Sequence, residues 1–259
     1  MQYATCSAAD VVHPRFEELI TSVGYVPSFH RKLWEIGYVM HHLLANDMLR
    51  PGTRGLGFGV GSERLPARFA SLGSTILASD APSEISEGVG WRETDQHSLS
   101  IDDLPNPGLC PPDEFLQRVT YRPVDMNNID NDLTGFDYCW SACCFEHLGS
   151  IRHGLEFVKN SLDCLAPGGV AVHTTELNLS SNNETLESEH LSLFRRSDLQ
   201  SLINDLRADG HTVSELTIAP DAHYLDHYVD LPPYGDLHMK LELEGYVTTS
   251  VGLVIQKRR

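Results

Sequence analysis

Two adjacent ionisable residues, Glu146 and His147, are the strongest candidates for catalysis in the sequence. They closely follow the apolar run Phe136–Ala142. Because the ordinary pKa of histidine lies near neutral pH, His147 can act as a general base on a hydroxyl group. It can also bind a metal ion, and a purely structural role is the competing interpretation. Glu176 ends a later apolar run and is a candidate for gripping a substrate.

A glycine-rich turn is the second chemical signal. Gly57, Gly59 and Gly61 form a G-x-G-x-G pattern after a short apolar run, and Asp80 ends the next apolar run. Glycines allow a tight turn and close approach of a ligand to the backbone, and N–H groups at a helix start favour an electronegative group. A carboxylate at Asp80 can accept both hydroxyls of a ribose. These features predict a site for an adenosine-containing cofactor at the mouth of a doubly wound sheet. The alternative interpretation is a glycine-rich loop with no special function.

Alternating strand and helix patterns must position these residues. The predicted helices are Pro14–Val23, Phe29–Leu49, Glu63–Ser71, Ser150–Leu165 and Ser197–Leu206. The predicted strands are one ending at Phe58, then Thr75–Ser79, Arg118–Val124, Phe136–Ala142, Gly169–Thr175 and His211–Ile218, with His238–Val254 closing the sheet. A short helix is expected after Pro82, followed by an irregular stretch at Gly90–Glu114 with a short helix near Ser98–Leu104. The pattern predicts an α/β fold.

The order of these motifs resembles that of class I S-adenosylmethionine (SAM)-dependent methyltransferases. The glycine turn, Asp80, the pair Asp125-Met126, the E-H pair and L-A-P-G-G before the fifth strand follow one another over about residues 50–218. The resemblance implies a single Rossmann-like, doubly wound, seven-stranded sheet, with an N-terminal helical extension and an insertion before the last strands. In that family an acidic residue stands two positions before the first glycine, where this chain has Gly55. The implied SAM-binding residues are Gly57, Phe58, Gly59, Gly61, Asp80, Ala81, Asp125, Met126 and Ser141.

The E-H pair carries a narrower resemblance. The quinone-biosynthesis O-methyltransferases and the small-RNA terminal 2′-O-methyltransferases carry E-x-x-E-H here, with a later histidine, and bind a divalent metal. This chain has C-C-F-E-H, with Cys143 in place of the first glutamate and His190 as the later histidine. The resemblance implies that Glu146, His147 and His190 hold Mg²⁺, completed by waters and substrate oxygens. The thiol of Cys143 suits Mg²⁺ poorly.

Three further segments are candidates for the substrate side. The polar stretch 176–194 suits recognition of a polyhydroxylated molecule. The insertion Ala219–Leu237 carries three tyrosines that can stack on a sugar face or an aromatic ring. On the helix Phe29–Leu49, three residues are expected either to line a cleft or to pack on the sheet edge. These side chains are Tyr224, Tyr228 and Tyr234 in the insertion, and Arg31, Trp34 and Tyr38 in the helix.

Composition limits the possible partners and compartments. A chain of 259 residues that is 41% hydrophobic is expected to form one domain, with a cap at 1–50, a core at 51–218 and a substrate-side part at 219–259. Its net charge of −17 disfavours nucleic acid, and no apolar run approaches membrane-spanning length. The N-terminus lacks the pattern of a signal peptide. The 6 cysteines, four of them in or near apolar segments, are expected to be reduced thiols, which predicts a cytoplasmic protein.

The sequence therefore predicts an enzyme that transfers a methyl group from SAM to a hydroxyl of a saccharide or glycoconjugate. One alternative is an N- or O-methyltransferase of an aromatic secondary metabolite. Another is a SAM-binding partner or sensor protein without catalysis. This alternative stays open because Gly55 stands where the family has an acidic residue. An NAD(P) dehydrogenase is disfavoured by the glycine spacing and by Asp125. The expected partners are a small-molecule or saccharide substrate and a second copy of the chain in a homodimer.

Overall fold

A mixed, mainly parallel sheet forms the centre of the computed structural model, which describes residues 1–83 and 97–259. Its strands are β1 Arg54–Phe58, β2 Thr75–Asp80, β3 Val119–Pro123, β4 Phe136–Ala142, β5 Leu165–Asn178, β6 Thr212–Val213, β7 Lys240–Leu243 and β8 Tyr246–Gln256. The order is β3-β2-β1-β4-β5-β8-β6, and β7 pairs with β8 outside this path. β1 to β5 run parallel, whereas β8 runs antiparallel to β5 and β6.

Helices cover the sheet on both faces. They are α1 Ala8–Val11, α2 Pro14–Ser22, α3 Arg31–Ala45, α4 Leu65–Ser71, α5 Pro112–Arg118, α6 Ile151–Ser161 and α7 Arg196–Ala208. Single 3₁₀ turns lie at Ile101–Asp103, Phe145–His147, Leu162–Cys164 and Tyr224–His227. Within the described residues the longest helix is α3, with 15 residues, and no helix there is long and apolar enough to cross a membrane.

Two apolar clusters fill the space between sheet and helices. Because side chains alternate along a strand, Trp140 of β4 packs on one face with Trp34 and Phe69. Cys139, its neighbour in sequence, packs on the other face with Phe157. The first cluster contains side chains of α1 to α5 and the second contains those of α6 and α7. The result is a three-layer α/β/α arrangement.

The long helix α3 lies across the sheet and brings its N-terminal turn to the carboxyl ends of β4 and β5. It contacts β4, β5 and β8. Tyr38 of α3 occupies the space above Gly252 of β8, where an added Cβ would lie 2.1 Å from Cε1 of the tyrosine ring. This close approach requires glycine at 252 and fixes the helix on the sheet.

The switch in strand order falls between β1 and β4, which are neighbours in the sheet. In an open α/β sheet the ligand crevice lies outside the carboxyl ends of the strands at such a point. The glycine turn follows β1, and the 3₁₀ turn Phe145–His147 follows β4. The topology therefore places both chemical signals of the sequence at one crevice.

Several predicted elements differ from the structure. The closing segment 238–254 forms two strands, because Glu244 and Gly245 adopt positive φ angles of 50° and 84° and make a tight hairpin turn. Within residues 1–83 and 97–259 the sheet therefore has 8 strands rather than seven. β6 is shorter than predicted and β5 is longer, while α1 and α5 were missed. The helix predicted after Pro82 falls mostly outside the described residues.

Candidate cofactor and active site

One cavity of about 300 Å³ opens at the crevice between β1 and β4. The glycine turn, Asp80 and the segment after β4 form one side of its wall, and α3 forms another. Its lining residues are Tyr25, Lys32, Leu33, Glu35, Ile36, Gly59, Val60, Gly61, Ser62, Glu63, Asp80, Ala142, Cys143, Cys144 and His147. The cavity thus joins the two candidate sites that the sequence placed apart.

The glycine turn uses its glycines in two different ways. Gly59 and Gly61 adopt φ angles of 58° and 45°, in the left-handed region that disfavours other residues. A Cβ on Gly59 would also lie 2.9 Å from Sγ of Cys144. Gly57 lies within β1, where a Cβ would lie 2.4 Å from the ring of Trp140. Gly59 and Gly61 therefore shape the cavity wall, whereas Gly57 makes room for core packing.

Asp80 lies at the carboxyl end of β2 with its side chain against the glycine turn. Oδ2 accepts the N–H of Gly61 at 3.0 Å and that of Ser98 at 3.1 Å, and Oδ1 accepts the N–H of Ala81 at 2.8 Å. Burial raises the pKa of Asp80, and these hydrogen bonds partly offset the increase. His97 lies nearby, with Nε2 3.8 Å from Oδ1. The carboxylate is therefore held in place on the cavity wall.

The remaining predicted cofactor residues occupy different positions. Met126 borders the glycine turn, because its Sδ lies 3.7 Å from the position of a Cβ on Gly59. Asp125 is half-buried, and its Oδ1 accepts the N–H of Asn127 at 2.9 Å. The ring of Phe58 and the hydroxyl of Ser141 are buried in the interior instead. Phe58 packs edge-on against Phe157, and Ser141 bonds Nδ1 of His173 at 2.8 Å.

His147 lies on the cavity wall at the end of the 3₁₀ turn after β4. Its Nδ1 lies 2.6 Å from the backbone oxygen of His190, so Nδ1 is the protonated nitrogen of the neutral ring. His190 is exposed and meets His147 through this carbonyl. The structure therefore brings these two predicted residues together, but through the main chain of His190.

Glu146 is fully buried behind His147, and its Oε2 accepts the hydroxyl of Thr175 at 2.9 Å. In the described part of the chain, one group of three metal-binding side chains has ligand atoms within 4.8 Å of one another: Cys143, Glu146 and Glu176. The set Glu146, His147 and His190 does not form such a group. The Mg²⁺ site implied by the sequence is therefore not assembled in this structure.

A buried charge cluster underlies the cavity at the N-terminal end of α3. Arg31 is paired with Oε1 of Glu176, and the same guanidinium lies 3.4 Å from Oε1 of Glu35, Sγ of Cys143 and Oγ of Ser250. Burial raises the pKa of the Glu176 carboxyl, but the positive charges of Arg31 and Lys32 and the hydrogen bond from Cys143 together outweigh burial, so the pKa is lowered. We call these five residues the α3 charge cluster. They tie α3 to β5, β8 and the segment after β4.

Glu63 was missed by the sequence analysis and lines the cavity directly after the glycine turn. Burial raises its pKa to about 8, although Nε1 of Trp140 donates to its Oε2 at 3.3 Å. Burial also raises the pKa of Glu35, the other glutamate on the cavity wall. Glu35 was not predicted from the sequence either. The signal for Glu35 in the sequence is its i, i+3 spacing from Lys32, and in the structure the charged groups of the two residues lie 3.6 Å apart.

The aromatic side chains expected at the site lie elsewhere. Trp34 and Tyr38 are fully buried in the core, and Nε1 of Trp34 donates to Asp10 at 2.9 Å. The helix they belong to meets the cavity through Lys32, Leu33, Glu35 and Ile36 instead. The three tyrosines of the insertion are exposed and lie outside the cavity lining: Tyr224, Tyr228 and Tyr234.

Comparisons with known proteins define the fold. No protein-family model and no curated protein matches the chain. A protein provisionally named a sarcosine dimethylglycine methyltransferase, from Galdieria sulphuraria, matches 88% of this chain and 84% of its own at 14% identity and a TM-score of 0.52. The 4+2 cyclase SpnF matches 96% of this chain and 93% of its own at 14% identity and a TM-score of 0.51.

These similarities confirm the predicted Rossmann-like methyltransferase fold. At this level of identity they concern the fold alone. One of the two proteins is named as a methyltransferase and the other as a cyclase, so the fold hosts more than one reaction. The reaction of this chain must therefore be argued from its own site.

Proposed function

We propose that the protein is a SAM-dependent methyltransferase that acts on a hydroxyl of a small polyhydroxylated molecule, a saccharide or glycoconjugate. The observation that carries the proposal is the common cavity: the left-handed glycines, Asp80 and His147 all line it. The glycines and Asp80 suit an adenosine-containing cofactor, and His147 suits an acceptor hydroxyl at the same opening.

Acidic residues of the cavity support SAM as the cofactor. In the proposed complex Asp80 accepts the ribose hydroxyls, and Met126, which borders the glycine turn, covers the adenine. Glu35 and Glu63 put two carboxyl groups on the cavity wall. When bound, SAM supplies a methyl group activated by its positively charged sulfur. In their ionised form, these carboxyl groups stabilise such a cation.

His147 is the proposed base. Because its Nδ1–H donates to the carbonyl of His190, the lone pair of the neutral ring lies on Nε2. A base of this kind removes the proton of an acceptor hydroxyl as the oxygen gains its methyl group. Because the transfer is a single displacement, the rest of the catalysis consists of holding the acceptor oxygen, the methyl carbon and the sulfur of SAM in one line. The Mg²⁺ of the sequence prediction is not part of this proposal.

The saccharide acceptor is supported by the polar character of the catalytic end. Carboxylates and a histidine can accept hydrogen bonds from hydroxyl groups, and Glu35, Glu63 and His147 line the same cavity as the segment after β4. An aromatic acceptor is the second candidate, since Tyr25, Leu33 and Ile36 line the same cavity. A SAM-binding protein without catalysis is the third.

The test is release of S-adenosylhomocysteine by the purified chain with SAM and a panel of saccharides and phenols. Turnover on a saccharide supports the proposal, and turnover on phenols alone favours the aromatic acceptor. SAM binding without turnover on any acceptor would favour a sensor. Titration calorimetry with SAM and with NAD is the control, because binding of NAD and not SAM would refute the cofactor assignment.

A further inference from the structure

Three ligand-bearing side chains converge beneath the cofactor cavity: Cys143, Glu146 and Glu176, which we call the cysteine–glutamate cluster. A ligand atom of each lies within 4.8 Å of those of the other two. Atoms bound to one cation at 2.0–2.3 Å are separated by no more than about this distance. All three residues are buried, with Glu146 at 0% and Glu176 at 2% exposure.

Each glutamate of the cluster has one oxygen fixed and one unpartnered. Thr175 donates to Oε2 of Glu146, and Arg31 is paired with Oε1 of Glu176. The second oxygens, Oε1 of Glu146 and Oε2 of Glu176, are buried without a hydrogen-bond partner. A buried carboxylate oxygen without a partner is costly, so such atoms point to a ligand. The fixed oxygens hold both carboxylates in place for it.

The net charge around the cluster is negative, which favours a bound cation. Glu146 and Glu176 contribute two carboxylates and Arg31 contributes one positive charge, while Lys32 and Glu35 pair with each other at 3.6 Å. One negative charge is left over, and a thiolate at Cys143 would add a second. A divalent cation balances these two charges.

We propose that the cysteine–glutamate cluster binds a divalent cation of intermediate softness, such as Zn²⁺, through one sulfur and two carboxylate oxygens. A thiolate and carboxylates together suit Zn²⁺ or Co²⁺, whereas Mg²⁺ prefers oxygen ligands throughout. Binding forms the metal–sulfur bond and releases the thiol proton to solvent. Cys143 adopts a positive φ of 50°, which a non-glycine residue tolerates only when its surroundings hold it there.

The proposed ion lies where it can meet a substrate. Cys143 lines the cofactor cavity, so the cluster reaches the cavity wall beside His147. Three protein ligands leave a fourth tetrahedral position for water or an acceptor oxygen. The site differs from the Glu146, His147 and His190 set because both histidines are outside it. It stands independently of the methyltransferase proposal.

Cobalt spectroscopy tests the site in the full chain without SAM or acceptor. We expect Co²⁺ added to the metal-free protein to bind with a stoichiometry of about one and to give a sulfur-to-cobalt charge-transfer band in the near ultraviolet. Cys143→Ser should abolish this band. Cys144→Ser is the matched control, because Cys144 is adjacent in sequence and outside the cluster, and it should keep the band.

Glu176→Gln keeps the shape of the side chain and should weaken Co²⁺ binding by about tenfold or more, while circular dichroism monitors folding. Absence of the band in the wild type would show that Arg31 and Lys32 neutralise the carboxylates without a metal ion, and it would overturn the proposal. A band that survives in Cys143→Ser, or an unchanged affinity in Glu176→Gln, would also overturn it. Because no step requires turnover, failure here is distinguishable from failure of the proposed function.

Discussion

Glu63 should couple cofactor binding to proton release. Its pKa is raised to about 8, chiefly by burial, and Glu35 adds to the increase. At pH 7 a group with this pKa is about nine tenths protonated. SAM brings a sulfonium and an ammonium into the same cavity, and a nearby cation lowers the pKa of a carboxyl group. We therefore expect about 0.8–0.9 protons to leave Glu63 for each SAM bound at pH 7.

Glu63→Gln should change the affinity for SAM only modestly, whereas it should remove most of the proton release. A hydrogen bond to a charged group contributes about 1.5–3 kcal/mol. Ionising Glu63 at pH 7, one unit below its pKa, costs about 1.4 kcal/mol. The net gain is therefore about 0–1.6 kcal/mol, so Glu63→Gln should weaken SAM binding by at most about fifteenfold. Proton release is the sharper measurement.

Calorimetry in buffers of different ionisation enthalpy measures the number of protons directly. The wild type should show release at pH 7, and Glu63→Gln should show almost none. The amino group of the cofactor contributes equally to both proteins and cancels in the difference. Glu114→Gln, on the exposed part of α5, is the control and should behave as the wild type. Equal proton release from wild type and Glu63→Gln would refute the assignment.

Three further variants test stability and chemistry. Between pH 4.5 and about 8 the folded chain keeps a proton on Glu63 that the unfolded chain loses, so the free energy of unfolding should fall by up to about 1.4 kcal/mol per pH unit. Glu63→Gln should remove this slope in urea titrations, and an unchanged slope would contradict the raised pKa. His147→Ala should leave SAM affinity near wild type and lower turnover by about 10²–10⁴-fold; unchanged turnover would exclude the residue as a base. Gly252→Ala should lower the free energy of unfolding by about 1–3 kcal/mol, because the new methyl group meets Tyr38. Gly235→Ala, with nothing within 4 Å, is the control, and equal effects in thermal melts would contradict the packing argument.

The sequence predicted the parts of the site that local rules determine. Asp80 and the glycine turn follow parallel strands, whose carboxyl ends meet at one edge whatever the distant packing. Even there, the glycines of the G-x-G-x-G pattern have two different roles. Gly59 has a left-handed backbone, whereas Gly57 makes room for Trp140. The second role depends on β4, about eighty residues later in the chain, so local spacing alone does not reveal it.

The parts that the sequence did not predict depend on how α3 packs on the sheet. Amphipathic spacing predicted the helix but not which of its charged residues meet the crevice. Tyr38 of α3 packs over Gly252 of β8, and Arg31 in the first turn of the same helix pairs with Glu176 on β5. The side chains of the predicted metal ligands Glu146, His147 and His190 are not brought together for a similar reason. The loop that carries His190 presents its backbone carbonyl to His147, which motif spacing does not specify.

The position of Gly55 shows why α3 must be part of the site. A Cβ there would lie 2.4 Å from the ring of Tyr138, so β1 cannot carry a side chain at the position where the resemblance to class I methyltransferases predicts an acidic residue. Besides Asp80 of β2, the carboxyl groups of this cavity come from Glu35 on α3 and Glu63 after the glycine turn. In the proposed SAM complex, α3 therefore supplies one of the carboxyl groups that face the cationic cofactor. The same helix carries Arg31, so the cavity wall and the α3 charge cluster share one structural element.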